Sequence, residues 1–310
     1  MKTHGDSGWE KFPSYLDTFI PYVLEILDSL NLKITFFVVG RDAANERNTE
    51  ALKLLVKRGH DVGNHSYNHD PWFNLNSKEL TRKEVLDAEE QIIKVTGQKP
   101  IGFRSPGFKW TPKLLEVLAD NDYFYDSSVH STYIGPLTRF FYFKRASFTD
   151  KEKNERKKMI GISEVTKPNV PFFWRLSSGV QLLELPVTTT PMIRIPFHLS
   201  YLLFLCRYSY NLMFLYLRIA LMLCWLRGLG PTFVIHPPDL LDRDLVPDLD
   251  YFPGMEISVS AKVELFRQVI DLFGQYFELH NLNTYAHLVC KSNLREKKVG
   301  TTERLNFDNL

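Results

Sequence analysis

Three of the nine histidines in this 310-residue chain, His60, His65 and His69, lie within ten positions of one another. The last two follow the short stretch DVGN and are four residues apart, so a turn there could aim both imidazoles at one point. Two neutral imidazoles suit Zn²⁺ or a similar divalent ion, although such pairs also occur on helix surfaces and in cores. A hydrolytic metal site needs a third protein ligand, for which a carboxylate is the natural candidate. His60 instead falls at the end of a predicted helix, where a histidine suits the helix C-terminus.

Three further polar side chains, Arg104, Asp126 and His236, follow short apolar runs elsewhere in the chain. Each alone has an ordinary structural role, such as an ion pair for the arginine or a carbonyl partner for the histidine. In parallel α/β folds, however, the loops at the carboxyl ends of the strands converge on one face. The sequence therefore predicts that these three residues join the histidine pair in a single site.

The elements that must carry these residues alternate between helix and strand. Apolar spacing predicts helices within 16–31, 48–60, 79–100 and 111–121, and β-rich runs predict strands within 32–40, 61–66, 101–107 and 123–129. This alternation is typical of a parallel α/β architecture, either an open sheet or a barrel.

The domain organisation predicted from these patterns is a single domain over residues 1–290, followed by a polar tail over 291–310. An aromatic and then charged segment interrupts the pattern at about 133–178, and we interpret it as an insertion. Helix and strand patterns return after it, within 180–191, 231–241 and 261–277.

The composition favours a globular protein without a nucleic-acid partner. Hydrophobic residues make up 44% of the chain, which is enough for a large core, and the formal net charge is only +2. The three cysteines, Cys206, Cys224 and Cys290, are far apart and are expected to be reduced. The first residues lack the apolar core of a secretory signal, so we expect a cytoplasmic location.

The most apolar stretch, over 198–226, is interrupted by Arg207 and Arg218, among other polar residues. It is therefore expected to form a buried helix or helix pair rather than a membrane span. The alternative is a peripheral contact with the inner face of a membrane, in which leucines and aromatic residues dip into the lipid.

Five blocks of sequence resemble, in order and spacing, the polysaccharide deacetylase family, which has the NodB-homology domain and is also called carbohydrate esterase family 4. The blocks are TFFVVG (35–40), GHDVGNHSYNH (59–69), FRSPGF (103–108), YDSS (125–128) and FVIHPPD (233–239). The resemblance covers roughly residues 16–290 and implies an irregular (β/α) barrel. It also implies a hydrolase that removes N-acetyl groups from an amino sugar in a polysaccharide or a lipid-linked glycan.

The resemblance assigns roles to individual positions. His65 and His69 match the metal-binding histidines, and the implied cofactor is a divalent ion, Zn²⁺ in the first place and Co²⁺ as an alternative. Arg104 matches the arginine that orients the catalytic aspartate, and His236 matches the histidine that protonates the leaving amine. Asp126 is a looser match to the acid that holds this histidine. The residues expected to contact substrate are Pro106, Gly107, Phe108 and Trp110.

One motif of the family is not found in the sequence. It is T-F-D-D-G or a variant of it, which lies on the first strand and supplies both the catalytic base and the carboxylate ligand. Asp6 in HGDSGW is a candidate for the ligand, but no β-rich run precedes it. The sequence leaves three possibilities open: the aspartates lie upstream of Met1, the protein binds metal or glycan without hydrolysis, or Asp6 replaces the usual ligand.

Two alternative functions also stay open. The first is a hydrolase acting on another non-peptide amide, with the same fold and metal. The second is a carbohydrate-binding or membrane-associated protein without activity, which the missing motif and the apolar 198–226 stretch both favour. If the first strand is absent, the barrel has an open edge on that side.

Overall fold

A computed structural model shows a mostly parallel sheet at the centre of the fold. The structure describes residues 14–70, 72–133, 167–250, 252, 254–292 and 294–299. The strands are β1 (Thr35–Val38), β2 (Asp61–Asn64), β3 (Gly102–Phe103), β4 (Tyr125–Asp126), β5 (Phe172–Arg175), β6 (Gln181–Glu184) and β7 (Arg295–Lys298). Their order across the sheet is β1-β2-β3-β4-β6-β5-β7. The first five strands in this order run parallel, and β5 runs antiparallel to β6.

Helices follow the strands in the predicted alternation. They are α1 (Leu16–Ser29), α2 (Gly40–Ala43), α3 (Thr49–Lys57), α4 (Lys78–Thr96), α5 (Pro112–Ala119), α6 (Leu199–Cys206), α7 (Tyr210–Leu226), α8 (Val259–Gly274) and α9 (Leu282–Cys290). The α/β fold class predicted from the sequence is thereby confirmed. In the part of the chain that the structure describes, no helix is both long and apolar enough to span a bilayer.

Local sequence signals explain where the helices begin and end. The Ser77 hydroxyl accepts a hydrogen bond from the Leu80 N–H at the start of α4, and Thr111 does the same for the Leu114 N–H at the start of α5. Helix α4 ends at Gly97, which has φ of 72°, a left-handed conformation that glycine adopts without strain. These caps fix the lengths of the connections between the strands, and so the level at which each strand ends.

The largest hydrophobic core lies between the helices and one face of the sheet. It joins the apolar faces of α1, α3, α6, α7 and α8. A second core around Phe103, Trp174 and Leu182 fills the space beneath β3, β5 and β6. The three cysteines are free, as predicted, with Cys224 buried in the first core.

Three expectations drawn from the sequence differ from the structure. The 133–178 segment is not wholly an insertion, because Phe172–Arg175 forms β5 inside the sheet; residues 134–166 lie outside the described residues. The 291–310 tail contributes β7, which pairs with β5 through main-chain bonds that its polar side chains do not prevent. The 231–235 stretch before His236 is not one of the strands of the sheet; its Thr232 and Val234 carbonyls accept from the N–H groups of Thr188 and Leu199.

Candidate active site

The loop that carries the histidine pair is held by hydrogen bonds from every side. The Asn64 side chain donates to the Val85 carbonyl and the Tyr123 hydroxyl, and it accepts from the Ser66 N–H at 2.9 Å. The Ser66 hydroxyl in turn accepts from the His69 N–H at 3.1 Å. Ser66 and His69 both have positive φ, a strained conformation that these bonds over-determine. The loop is therefore built to fix the direction of its side chains.

The two imidazoles lie side by side, as predicted, with ring centroids 4.8 Å apart. His65 Nδ1 lies 2.6 Å from the Arg104 carbonyl oxygen, so Nδ1 carries the proton and Nε2 keeps a free lone pair. Burial lowers the pKa of His65 well below its ordinary value, and the neighbouring His69 lowers it further. Desolvation also lowers the pKa of His69, with His236 as the next cause. Both rings are therefore neutral near pH 7, which is the form that binds metal.

Arg104 is fixed at the end of β3 by the end of β4. Its guanidinium donates through Nε to the Ser127 carbonyl oxygen at 3.2 Å and through a terminal nitrogen to the Ser127 hydroxyl at 2.8 Å. It also lies over the Phe37 ring at 4.3 Å from the centroid. Burial lowers the pKa of Arg104 to about 10, so the side chain is still a cation near pH 7. A fixed cation therefore lies beside the two neutral imidazoles.

Asp126 has a different position from the one expected. It is fully buried, faces Glu184 across the β4–β6 pairing, and accepts from the Ser128 hydroxyl at 2.6 Å. Glu184 accepts from the Val129 N–H at 2.9 Å and from the Trp174 indole at 2.8 Å. Burial raises the pKa of Asp126 to about 6 and that of Glu184 well above its ordinary value. The hydrogen bonds of this buried pair stabilise the ends of β4 and β6.

The acid beside His236 is Asp239, so the assignment of Asp126 to this place is corrected. Asp239 accepts from the His236 N–H at 2.8 Å and from the Ser200 hydroxyl at 3.0 Å. Because Ser200 gives its proton to Asp239, its oxygen accepts from His236 Nδ1, 3.2 Å away. This leaves His236 Nε2 for a substrate.

The turn after His236 is fixed by the buried Lys262, whose ammonium donates to the carbonyls of Pro238 and Leu241.

A cavity of about 1340 Å³ joins these groups. It is lined by His65, His69, Arg104, His236 and Asp239, and on a second wall by Gly107 and Phe108. The two other residues predicted to contact substrate lie elsewhere. Pro106 is buried, and Trp110 packs against Trp174 with ring centroids 4.5 Å apart. The Trp110 ring is partly buried against the second core and does not line this cavity.

Two main-chain segments, around β1 and over residues 231–235, form part of the remaining cavity wall. The carbonyls of Ile34, just before β1, and Val38, at its end, accept from the N–H groups of Asp61 and His65. By the alternation of a strand, the main-chain groups of Thr35 and Phe37 point away from β2. Within the described ranges, β1 has no strand partner on that side. The 231–235 stretch lines the same cavity. The open edge predicted for the sheet is thus present among these residues.

The donor set fits part of a metal site. Two neutral imidazoles, one of them with its tautomer fixed by a carbonyl, suit a divalent ion. Over residues 14–133 and 167–299, apart from the few positions not described there, no group of three histidine, cysteine or acidic side chains is placed to bind a metal. Asp42 lines the cavity, and burial raises its pKa to about 6, but it does not complete such a group. Asp6, the predicted third ligand, lies outside the described residues.

Sequence reasoning missed Ser200, Asp239 and Glu184. The sequence does indicate a role for Asp239, because it follows His236 by three residues in IHPPD, where an acidic side chain can cap the short turn that begins there. Ser200 and Glu184 had none, because their contacts depend on how distant segments pack.

Comparisons with known proteins agree with this α/β fold. The family model for polysaccharide deacetylase matches residues 6–125. The chain is 33% identical over 88 residues to the peptidoglycan-N-acetylglucosamine deacetylase of Bacillus cereus, a match covering 28% of this chain and 31% of that protein. It is 30% identical over 111 residues to the peptidoglycan deacetylase of Helicobacter pylori, covering 36% of each. The chain thus matches these curated relatives over about a third of their length.

The fold extends the likeness beyond the matched segment. A crystal structure from Mycobacterium smegmatis, described as a polysaccharide deacetylase, superposes on 93% of this chain and 83% of that one, with a TM-score of 0.57 at 20% identity. The α/β architecture is therefore that of the NodB-homology fold. The chain is thus similar to the polysaccharide deacetylase family over residues 6–125, and its fold is similar to that of the superposed structure.

Proposed function

We propose that this protein is a metal-dependent hydrolase that removes N-acetyl groups from an amino sugar in a polysaccharide or a lipid-linked glycan. The observation that carries the proposal is the convergence of His65, His69, Arg104 and His236 on one cavity. These groups come from separate loops, and a purely structural role does not require them to share one opening. We propose Zn²⁺ as the ion, with Co²⁺ able to replace it.

In this proposal, His65 and His69 hold the metal, and Asp6 is the candidate for the third ligand. A bound divalent ion would supply an activated water and would stabilise negative charge on the acetyl oxygen. Arg104 keeps its charge and lies where it can orient a carboxylate at the site. Phe108 offers an aromatic face at the cavity wall, against which a sugar ring can pack.

His236 is the proton donor in the second half of the reaction. The amide C–N bond breaks as His236 Nε2 gives its proton to the amine nitrogen, and water supplies the oxygen that leaves in acetate. Ser200 and Asp239 keep Nδ1 protonated, because the serine oxygen accepts from it and the carboxylate accepts from the serine. Asp239 also lies 3.7 Å from Nδ1, where it stabilises the ring when both nitrogens carry protons.

The first test measures metal and activity in the same samples. The substrates are oligomers of N-acetylglucosamine with added Zn²⁺ or Co²⁺, and the readouts are released acetate and bound metal per chain. His65→Ala should abolish stoichiometric metal binding, whereas His236→Ala should keep the metal and lose roughly a hundredfold or more in kcat. The matched control is His287→Ala, which removes an exposed histidine away from the cavity. Unchanged metal content in His65→Ala would refute the ligand assignment.

Asp6→Asn tests the third ligand separately. If Asp6 binds the metal, this variant should lose metal affinity and activity together while its melting temperature stays that of the parent chain. If metal content and turnover are both unchanged, another carboxylate completes the site.

A second function is favoured by the donor count. Among the side chains that the structure describes, no group of three could hold a metal, so a glycan-binding protein without turnover is the alternative. It predicts that the oligomers bind to the parent chain and that Phe108→Ala weakens binding, while no acetate is released with either metal.

A further inference from the structure

The solvent-facing side of α6 and α7 is apolar. Helix α7 buries Met213, Leu217, Ala220, Leu221 and Cys224 in the main core. Its opposite side carries Leu212, Leu215, Ile219, Met222 and Leu226, which lie on one stripe at helical spacing and are between 41% and 62% exposed. Trp225 on α7 and Phe204 on α6 extend the exposed surface, and Tyr208 lies between the two helices. We call these eight side chains the apolar face.

Other surface helices of the protein do not look like this. On α4 the exposed side chains are mostly charged, among them Lys78, Glu79, Arg82, Lys83, Glu90 and Lys94, with only Leu80 and Ile93 as large apolar exceptions. A helix that is apolar on both sides is expected where both sides are covered. An exposed patch of this kind marks an interaction surface.

The charged residues in the stretch that carries the apolar face are all arginines, which favours an anionic partner surface. Between Glu184 and Asp239 the sequence contains no acidic residue but four arginines, Arg194, Arg207, Arg218 and Arg227. Arg207 pairs with Glu256 at 3.0 Å, whereas Arg218 and Arg227 are exposed and make no ion pair among the described residues. Apolar side chains bordered by exposed cations complement a surface that is anionic outside and apolar beneath. A second copy of the chain would instead bring arginines against arginines.

We propose that the apolar face docks on the surface of an anionic lipid bilayer. Helix α6 links this surface to the cavity, because Ser200, Leu203, Phe204 and Arg207 also line the cavity wall. Docking through α6 would place the cavity opening beside the lipid head groups. The binding itself does not depend on the hydrolase reaction; only the corollary, that the substrate is a lipid-linked amino sugar, rests on the proposed function.

The test is vesicle co-sedimentation of the full chain. The vesicles contain either phosphatidylcholine alone or phosphatidylcholine with phosphatidylglycerol. The parent chain should bind the anionic vesicles, and the double variant Leu215→Gln/Ile219→Gln should bind them at least about tenfold more weakly. The matched control is Leu80→Gln/Ile93→Gln on α4, which removes two exposed apolar side chains of similar size and should bind like the parent.

Two more measurements distinguish lipid docking from self-association and from misfolding. Arg218→Gln should weaken binding to the anionic vesicles by about fivefold and leave binding to neutral vesicles unchanged. The emission of Trp225 should shift to shorter wavelength on vesicles, a shift that Trp225→Phe removes, and circular dichroism shows whether each variant is folded. The proposal is overturned if the parent chain binds neither vesicle, or if both double variants bind equally. It is also overturned if the α7 variant changes only self-association, measured by light scattering, since a second copy would then cover the face.

Discussion

Lowering the pH should destabilise this protein through His60. The residue is 1% exposed, its Nδ1 accepts from the Ile34 N–H at 3.2 Å, and its ring meets Phe36 edge to face. Burial, followed by the charge of Lys33, lowers the pKa of His60 from 6.5 to about 4. Protonation of Nδ1 would place its hydrogen against the Ile34 N–H and break that hydrogen bond. The protonated imidazole is therefore less favourable in the folded state than in the unfolded chain.

The sign and size of the effect follow from proton linkage. A depressed folded-state pKa contributes stability that is complete above pH 6.5 and is lost as the pH falls toward 4. With pKa values of 6.5 and about 4, the loss due to His60 is about 2 kcal/mol at pH 5 and about 3 kcal/mol at pH 4.

The assay is urea unfolding followed by circular dichroism at pH 7.5, 6, 5 and 4, for the parent chain and His60→Asn. At pH 7.5 the free energy of unfolding of the variant should be about 1–2 kcal/mol lower than that of the parent chain, because the packing of the imidazole ring is lost. Its deficit should then shrink with falling pH, because it has no imidazole to protonate. His287→Asn measures how much slope an exposed histidine contributes. A constant difference between the parent chain and His60→Asn across this range would refute the reasoning.

The remaining predictions concern the supports of the site. Gly102→Ala should destabilise the fold by about 1–3 kcal/mol in urea unfolding, since a Cβ there would lie 2.0–2.5 Å from the buried Tyr125 ring. Lys262→Met should lower kcat more than it lowers metal content, because the lost ammonium bonds release the turn after His236. Asn64→Ala should weaken Co²⁺ binding in equilibrium dialysis by about tenfold or more, since three bonds that shape the histidine loop are removed.

The histidine loop could be predicted because its signals are local. The two-histidine spacing after the predicted strand β2 and the alternation of helices and strands indicate that His65 and His69 lie in the loop that follows β2. Arg104 at the end of β3 follows from the same reasoning, since parallel strands end at one side. In each case the nearest neighbours along the chain carry the information.

The partners of Asp126 and Trp110 could not be predicted because they come from distant segments. Asp126 meets Glu184 since β6, and not β5, lies next to β4 in the sheet. Trp110 is covered by Trp174 of β5, a strand inside the segment taken for an insertion. His60 lies just after the end of α3, as expected, but its burial could not be predicted for a related reason. The start of β1 covers the ring, and the Ile34 N–H donates to its Nδ1.

The charges of the described residues at the site favour a carboxylate as the group that would complete it. Arg104 is held by the carbonyl and hydroxyl of Ser127 and forms no ion pair with a described acid, although its pKa of about 10 keeps it cationic. His65 and His69 contribute no charge when neutral, so this end of the cavity is electropositive. A carboxylate placed there would have its pKa lowered by the guanidinium and would stay ionised, ready to bind a metal or accept a proton. A carboxylate would thus serve both as a metal ligand beside the imidazoles and as a partner for the guanidinium. For this reason Asp6→Asn is the most informative single substitution in this chain.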